Sequence, residues 1–404
     1  RQMCIRDRIT EENPMKVIVA IDSLKGSLSS LEAGKAVEDG IKKAIPTAEV
    51  MIKPVADGGE GTVTALTTGL QGSLEKVAVT GPLGQKVEAA YGILPDKTAV
   101  IEMAAAAGLP LAGERLNAGE ATTYGVGELI LDALPGGVKK IILGLGGSAT
   151  NEGGAGALAA LGVKFLNERG EEFIPVGNTL HCIKKIDLSE LDQRIKETEI
   201  LVMCDVSTVL CGANGATAIF GPQKGVEPEE VSRLDYGLRH FAEKIYEVTG
   251  KEILQLEGGG AAGGMGAGIA AILGGKLMSG IDIMLDTITF EEVLKDTSMV
   301  ITGEGKIDGQ SSYGKVISGV AKRAKKYQVP VIALAGAVTE DADLLYEMGV
   351  SAMFGINRRA LSFEELKATT KMDLRKTAES IFRLMDLSLS LIHISEPTRH
   401  AQIS

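Results

Sequence analysis

The chain has 404 residues, 45% of them hydrophobic, and a formal net charge of −11. That length suffices for two domains with substantial cores, and the acidic balance argues against nucleic acid or an anionic membrane surface as partner. With no Trp and 4% aromatic residues there is little to stack bases or sugars on, whereas 51 glycines in separate clusters point to tight, ligand-handling loops.

The ends read differently from the rest. Residues 1–14 and 388–404 resemble translated adapter read-through at the ends of assembled genes, so the natural chain is expected to run from Met15 to near Leu387. Only His181 and His240 then remain, which excludes a histidine-rich metal site. Cys4, Cys182, Cys204 and Cys211 show no CxxC pair, and they read as reduced thiols of a cytoplasmic protein rather than as a disulfide framework. A metal pair from Cys204 and Cys211 is the weaker reading, because free cysteines are so often simply buried. The longest uncharged run, Gly258–Gly275, is too rich in Gly and Ala for a membrane span, and no secretory signal is expected.

In chain order, Lys16–Ile21 predicts a strand ending in Asp22-Ser23-Leu24-Lys25-Gly26-Ser27. Ser29 and Glu32 form a capping box for a helix whose apolar face is Ala33, Val37, Gly40, Ile41 and Ala44. A second strand, Glu49–Val55, runs into Asp57-Gly58-Gly59-Glu60-Gly61-Thr62 and another helix, the opening of a parallel sheet. From about Leu74 short strands at 77–80, 87–94 and 99–102 predict a mixed or antiparallel sheet. A helix over 120–134 leads to an apolar strand, Lys139–Leu145, then to a glycine loop and a helix over about 153–161. That loop reads as an anion cradle facing the positive end of its helix.

Strand Glu199–Cys204 delivers Asp205, Phe220–Gly225 is a tight loop carrying Lys224, and Glu227–Val248 is a long helix. After Thr289 the α/β pattern returns: strand Met299–Ile301, the segment Thr302–Ser311, a helix over 314–327, strand Pro330–Leu334, a helix over 341–348, strand Ser351–Phe354 and a final helix. The expected fold class is α/β: a doubly wound, mostly parallel Rossmann-like domain (15–72 plus 290–387) with an inserted α/β domain (73–289) carrying a mixed sheet and the Gly-rich loops. The ligand cleft is expected between them.

Four segments repeat one design, a strand end followed by glycines and polar or charged groups: Asp22–Ser27, Asp57–Thr62, Gly144–Asn151 and Thr302–Ser311. Phosphoryl transfer from ATP needs N–H cradles, cations on the phosphates, carboxylates for Mg²⁺ and a base at the accepting hydroxyl. Lys25, Lys224 and Lys306 are the candidate cations; Asp22, Asp57, Glu60, Asp205, Glu304 and Asp308 are the candidate acids. Two decoys compete. Gly144-x-Gly146-x-x-Ala149 with Glu168 fits a dinucleotide fingerprint, so a nicotinamide-dependent dehydrogenase is the runner-up from pattern alone. Gly309-x4-Gly314-Lys315 falls short of a Walker A motif because Val316 replaces its Ser or Thr.

Eight blocks resemble the bacterial glycerate kinase family whose members phosphorylate D-glycerate at O2: Asp22–Leu28, Val55–Thr62, Thr80–Gly84, Ile101–Ala105, Gly146–Asn151, Ile219–Gly225, Gly263–Gly266 and Thr302–Asp308. The resemblance covers about Met15 to Leu387. It implies ATP- and Mg²⁺-dependent conversion of D-glycerate to 2-phosphoglycerate in a cytoplasmic monomer or homodimer, within organic-acid breakdown. Glu152 departs from the family's usual Asp, Lys306 from its common Arg, and Ser207-Thr208-Val209 from its Thr-Asn-Pro after Asp205.

On that basis Asp205, Lys25 and Asp308 are expected to act in the chemistry. Asp22, Ser23, Ser27, Asp57, Gly58, Gly59, Glu60, Gly146, Gly147, Ser148, Thr150, Asn151, Lys224, Gly303, Glu304 and Lys306 are expected to bind substrate or phosphate. Asp205 and Glu304 are the expected Mg²⁺ ligands. Two other readings stay open: a kinase for another small hydroxy-acid, and a small-anion sensor that kept the fold.

Overall fold

Strand Lys16–Ile21 reads KVIVAI, with every residue after the first buried, as suits a strand covered on both faces. The computed structural model in which it lies describes residues 14–312 and 315–394. The expected N-terminal flank apart from Pro14, the tail beyond Ile394, Cys4 and Gly314 of the near-Walker pattern lie outside the described residues. The chain divides into two compact units, one made of residues up to Val55 and from Thr289 onward, the other of Ala56–Ile288.

In the first unit five parallel strands run in the order Val350–Gly355, Val331–Val338, Met299–Ile307, Lys16–Ile21, Glu49–Ile52. Helix Ser30–Ala44 starts at the expected capping box: Ser29 Oγ accepts from Glu32 N–H, and the Glu32 carboxylate accepts from Ser29 N–H. Its Ala33, Val37 and Ile41 pack with Val17, Val19 and Ile21 and with Leu374 and Phe382 of helix Phe363–Ile394. On the opposite face Ile307, Ala333 and Ala335 meet Ile317 and Ala321 of helix Val316–Lys326 and Leu345 of helix Leu344–Met348. The chain leaves Lys16–Ile21 for the strand on one side of it and later enters Met299–Ile307 on the other. The carboxyl ends of these two strands therefore flank a topological switch point, where doubly wound sheets bind ligands.

The second unit holds a six-stranded sheet in the order Lys276–Met278, Glu199–Met203, Lys140–Gly144, Thr98–Glu102, Lys86–Ile93, Ser73–Thr80. The first four are parallel and the last two antiparallel, the mixed sheet anticipated. Helix Pro228–Thr249 sends Leu238, Phe241 and Ile245 into its core. A small antiparallel sheet, Glu172–Phe173, Lys164–Leu166, Lys185–Asp187, has no counterpart in the sequence reading.

Two expectations need correction. Thr302–Ile307 was expected as loop but continues the strand, with Glu304 paired to Ala335 and Lys306 to Ala337. A long apolar neighbour, Val331–Val338, keeps this glycine-rich stretch extended despite its composition. The first unit boundary falls after Val55 and not after residue 72, because helix Thr62–Leu70 packs on the second unit's sheet. Its Thr67 and Val63 fill the space above Gly92, and Glu102 Oε1 accepts the Val63 N–H at 2.7 Å.

Gly40 is the close point between helices Ser30–Ala44 and Phe363–Ile394. A Cβ there would lie 2.3 Å from the Arg375 carbonyl oxygen and 2.9 Å from Ala378 Cβ. Gly40→Leu should cost about 1–3 kcal/mol in urea unfolding, in the range of overpacked interiors. Gly136→Ala, where a Cβ meets nothing within 4 Å, should stay within about 0.5 kcal/mol.

Candidate active site

In the second unit the site residues converge because glycines let four backbone segments approach one another. Gly144 and Met203 are register partners at the ends of their strands. A Cβ on Gly144 would lie 2.5 Å from Gly58 O, one on Gly146 would lie 2.8 Å from Gly59 Cα, and one on Gly58, at φ +94°, would lie 2.6 Å from Met203 Cβ. Asp57–Glu60 is thus laid across the strand ends, where Asp205 emerges. Asp205 Oδ1 accepts the Gly280 N–H at 2.8 Å. A Cβ on Gly280 would sit 2.1 Å from the Asp57 carbonyl oxygen and 3.0 Å from Asp205 Oδ2.

Asp205 keeps an exposed rim although protein crowds its carboxylate. Its pKa is pushed up to about 6, first by desolvation and further by the Asp57 charge, against the Gly280 hydrogen bond. The nearby Ser279 hydroxyl also favours the ionised form, yet it is buried without a partner of good hydrogen-bonding geometry.

The loop after Lys140–Gly144 is less of a cradle than its glycines suggest. Gly146 N–H goes to Gly58 O at 3.4 Å and Ala149 N–H to Ala107 O at 2.9 Å. Helix Ala155–Ala160 does not offer its N-terminus to a ligand: Gly156 N–H is taken by Glu152 Oε2 at 3.0 Å and Ala157 N–H by Thr123 Oγ1 at 2.8 Å. The anion-binding helix end expected here is occupied by protein. Nor do the glycines open the helix, as a dinucleotide fingerprint requires. The dense run Gly258–Gly268 serves packing, since a Cβ on Gly263 would lie 2.0 Å from Thr150 O.

Beneath this loop Lys224, 2% exposed, donates to Ser148 Oγ at 2.7 Å and to Thr150 O at 2.8 Å. Expected as a cation for phosphate, it is placed as a strut of the loop. Thr150 and Asn151 are equally internal, Asn151 exchanging hydrogen bonds with Thr217. Burial pushes Lys224 down to about 7, with the Glu152 charge opposing, and pushes the Glu152 carboxyl up to about 7 against its N–H donors.

The first unit gathers the other cluster at its switch point. Asp22 is buried, pairs its N–H with Gly303 O at 2.9 Å and accepts the Ser23 N–H at 2.7 Å. Lys25 stands exposed on the turn closed by Leu24 and Leu28, with Ser27 half-buried beside it. Glu304 is buried and takes the Ser311 hydroxyl, while Lys306 pairs with Asp308 at 3.1 Å. Asp205 and Glu304, expected as joint metal ligands, belong to different units. The sequence reading missed Ser279 and Gly280, which no spacing or motif marked.

Parallel strands that end in carboxylates, lysines and glycines define an α/β protein equipped to handle a small anionic ligand. The chain matches the glycerate kinase family over residues 17–386 and belongs to that family. It is 48% identical to a glycerate 2-kinase of Escherichia coli K12 over 85% of this chain and 90% of that one. It is 46% identical to a glycerate kinase of Halalkalibacterium halodurans, over 90% and 97% respectively. A crystal structure from Salmonella typhimurium LT2, provisionally named glycerate kinase 2, superposes with a TM-score of 0.86 at 42% identity, covering 94% of this chain and 100% of that one.

A lysine whose folded pKa is depressed leaves the native chain with fewer bound protons than the unfolded chain between pH about 7 and 10.5, so stability rises with pH across that window. Lys224→Met should remove this rise when thermal melts of the two proteins are compared over that range. It should also lower kcat/KM, because Ser148 Oγ and Thr150 O lose their buried donor.

Proposed function

We propose that this kinase transfers the γ-phosphoryl group of ATP to O2 of D-glycerate, giving 2-phosphoglycerate and ADP. The observation that carries the reading is Asp205: a carboxylate at a parallel strand's carboxyl end, oriented by the Gly280 N–H and set beside Asp57, in a chain of the glycerate kinase family. The name of the Escherichia coli relative, glycerate 2-kinase, supports O2 as the accepting position.

The glycerate O2 forms a bond to the γ-phosphorus as the bond from phosphorus to the bridging oxygen breaks. That electron pair leaves with ADP, and the O2 proton passes to the Asp205 carboxylate. A carboxyl of pKa about 6 is ionised at neutral pH and still basic enough to accept it. Mg²⁺ would fit beside Asp57, because a single hard carboxylate suits this ion when phosphate oxygens and water complete its shell. No group of three or more His, Cys, Asp or Glu able to hold a metal occurs among the described residues. Bound there with the nucleotide, the ion would supply positive charge to the phosphate oxygens.

No helix among the described residues is long and apolar enough to cross a membrane. Cys182, Cys204 and Cys211 are free thiols, which supports the cytoplasm as the place of action.

An assay with D-glycerate, ATP, Mg²⁺ and enolase, but no phosphoglycerate mutase, should yield phosphoenolpyruvate. ADP release without phosphoenolpyruvate would overturn O2 as acceptor. The rate should climb with pH up to about 6, as Asp205 loses its proton, and then level off. Asp205→Asn should abolish that acid limb and lower kcat about 10²- to 10⁴-fold.

A further inference from the structure

Strand Glu49–Ile52 is an edge of the first unit's sheet, paired on one side only, with Lys16–Ile21. Glu49 N–H donates to Met15 O and Lys53 N–H to Val19 O, both at 2.9 Å. Backbone groups alternate in direction along a strand. The N–H and C=O groups of Val50 and Ile52 therefore point outward, and among the described residues they have no partner. The side chains of these two residues tie the strand to its own unit. Val50 packs on the core beneath helix Ser30–Ala44, and a Cβ on Gly34 would lie 2.5 Å from Ile52 Cγ2. Glu49, Met51 and Lys53 share the opposite face. Met51 is 47% exposed, and neither Glu49 nor Lys53 has an ion-pair partner among the described residues. Beside them runs a groove of about 480 Å³ whose lining includes Ile18 and Met51, with Glu49, Glu292 and Asp296 set against the single cation of Lys16.

We propose that this edge is an isologous interface, on which a second copy of the chain pairs antiparallel about a twofold axis at Met51. In that register Val50 of one copy stands opposite Ile52 of the other, and each such pair exchanges both of its outward hydrogen bonds. Glu49 falls opposite Lys53 of the second copy on both sides of the axis, in the closer-spaced kind of cross-strand pair. The run Glu49-Val50-Met51-Ile52-Lys53 is its own complement only when antiparallel, since a parallel copy would set like charges side by side. The arriving Lys53 also brings a cation next to the acidic groove. Pro54, the next residue of the outward set, has no N–H and ends the ladder. Protected edges carry charges that repel a second strand or prolines that cannot bond to it; this one carries opposite charges that match. The sheet's other edge, Val350–Gly355, reads VSAMFG and offers no charge to Glu49 or Lys53. Pairing therefore closes as a dimer and does not propagate head to tail. The interface is independent of which acceptor the enzyme phosphorylates.

The test is sedimentation equilibrium of the full chain at low salt, from about 1 to about 100 μM, the range over which small interfaces dissociate. Wild type should pass reversibly from monomer to dimer. Glu49→Lys and Lys53→Glu each set like charges opposite one another twice per dimer, and each should weaken dimerisation about tenfold or more. An equimolar mixture of these two variants pairs unlike charges again at both places and should dimerise about as well as wild type. The double variant Glu49→Lys/Lys53→Glu should do the same, which also shows that neither change unfolds the chain. Wild type that stays monomeric across the range would overturn the proposal. So would a single variant that dimerises as well as wild type, a mixture or double variant that stays monomeric, or assembly that grows past the dimer.

Discussion

The second unit depends on backbone meeting backbone at the ends of Lys140–Gly144 and Glu199–Met203. Gly58, Gly144, Gly146, Gly263 and Gly280 each occupy a place where a Cβ would fall within about 3 Å of another segment's atoms. Glycine costs more chain entropy on folding than any other residue, so this number of unsubstituted contacts needs support from packing nearby. The core around Ile141, Leu143, Val202 and Phe241 provides it. What the close approach achieves is convergence. Asp57 comes beside Asp205, and the Gly280 N–H comes within reach of Asp205 Oδ1.

Charge in this unit is used in two ways. Lys224 and Glu152 are sealed inside, where they hold the loop and the start of helix Ala155–Ala160 through hydrogen bonds. A buried ion is costly unless it is well bonded, and burial drives both toward neutrality. Asp205 stays at the rim, raised by crowding and by Asp57 but still open to water. The buried pair acts as scaffold, whereas the rim carboxylate retains the freedom to exchange a proton.

Local signals in the sequence were legible where a short-range rule governs. The Ser29–Glu32 capping box formed, the face Ala33, Val37, Ile41 packed, and Asp22 and Asp205 emerged at strand ends. Signals that depended on a distant neighbour misled. Thr302–Ile307 looks like a loop in composition, yet the ladder with Val331–Val338 makes it strand. Helix Thr62–Leu70 follows the first unit in sequence, but Gly92 and Glu102 draw it onto the second. Lys224 reads as a candidate cation for phosphate, and only the folded chain shows its ammonium turned inward to Ser148 and Thr150.

By itself the sequence determined the alternation of strands and helices, the residues at strand ends and the resemblance to glycerate kinases, because periodicity, capping and motif spacing are properties of contiguous residues. The tertiary structure alone decided which polar groups face solvent and which are sealed within, where one unit gives way to the next, and how Ser279 and Gly280 reach Asp205. These depend on contacts between segments tens to hundreds of residues apart, whose free energy is set by burial and close approach and leaves no mark in any local pattern.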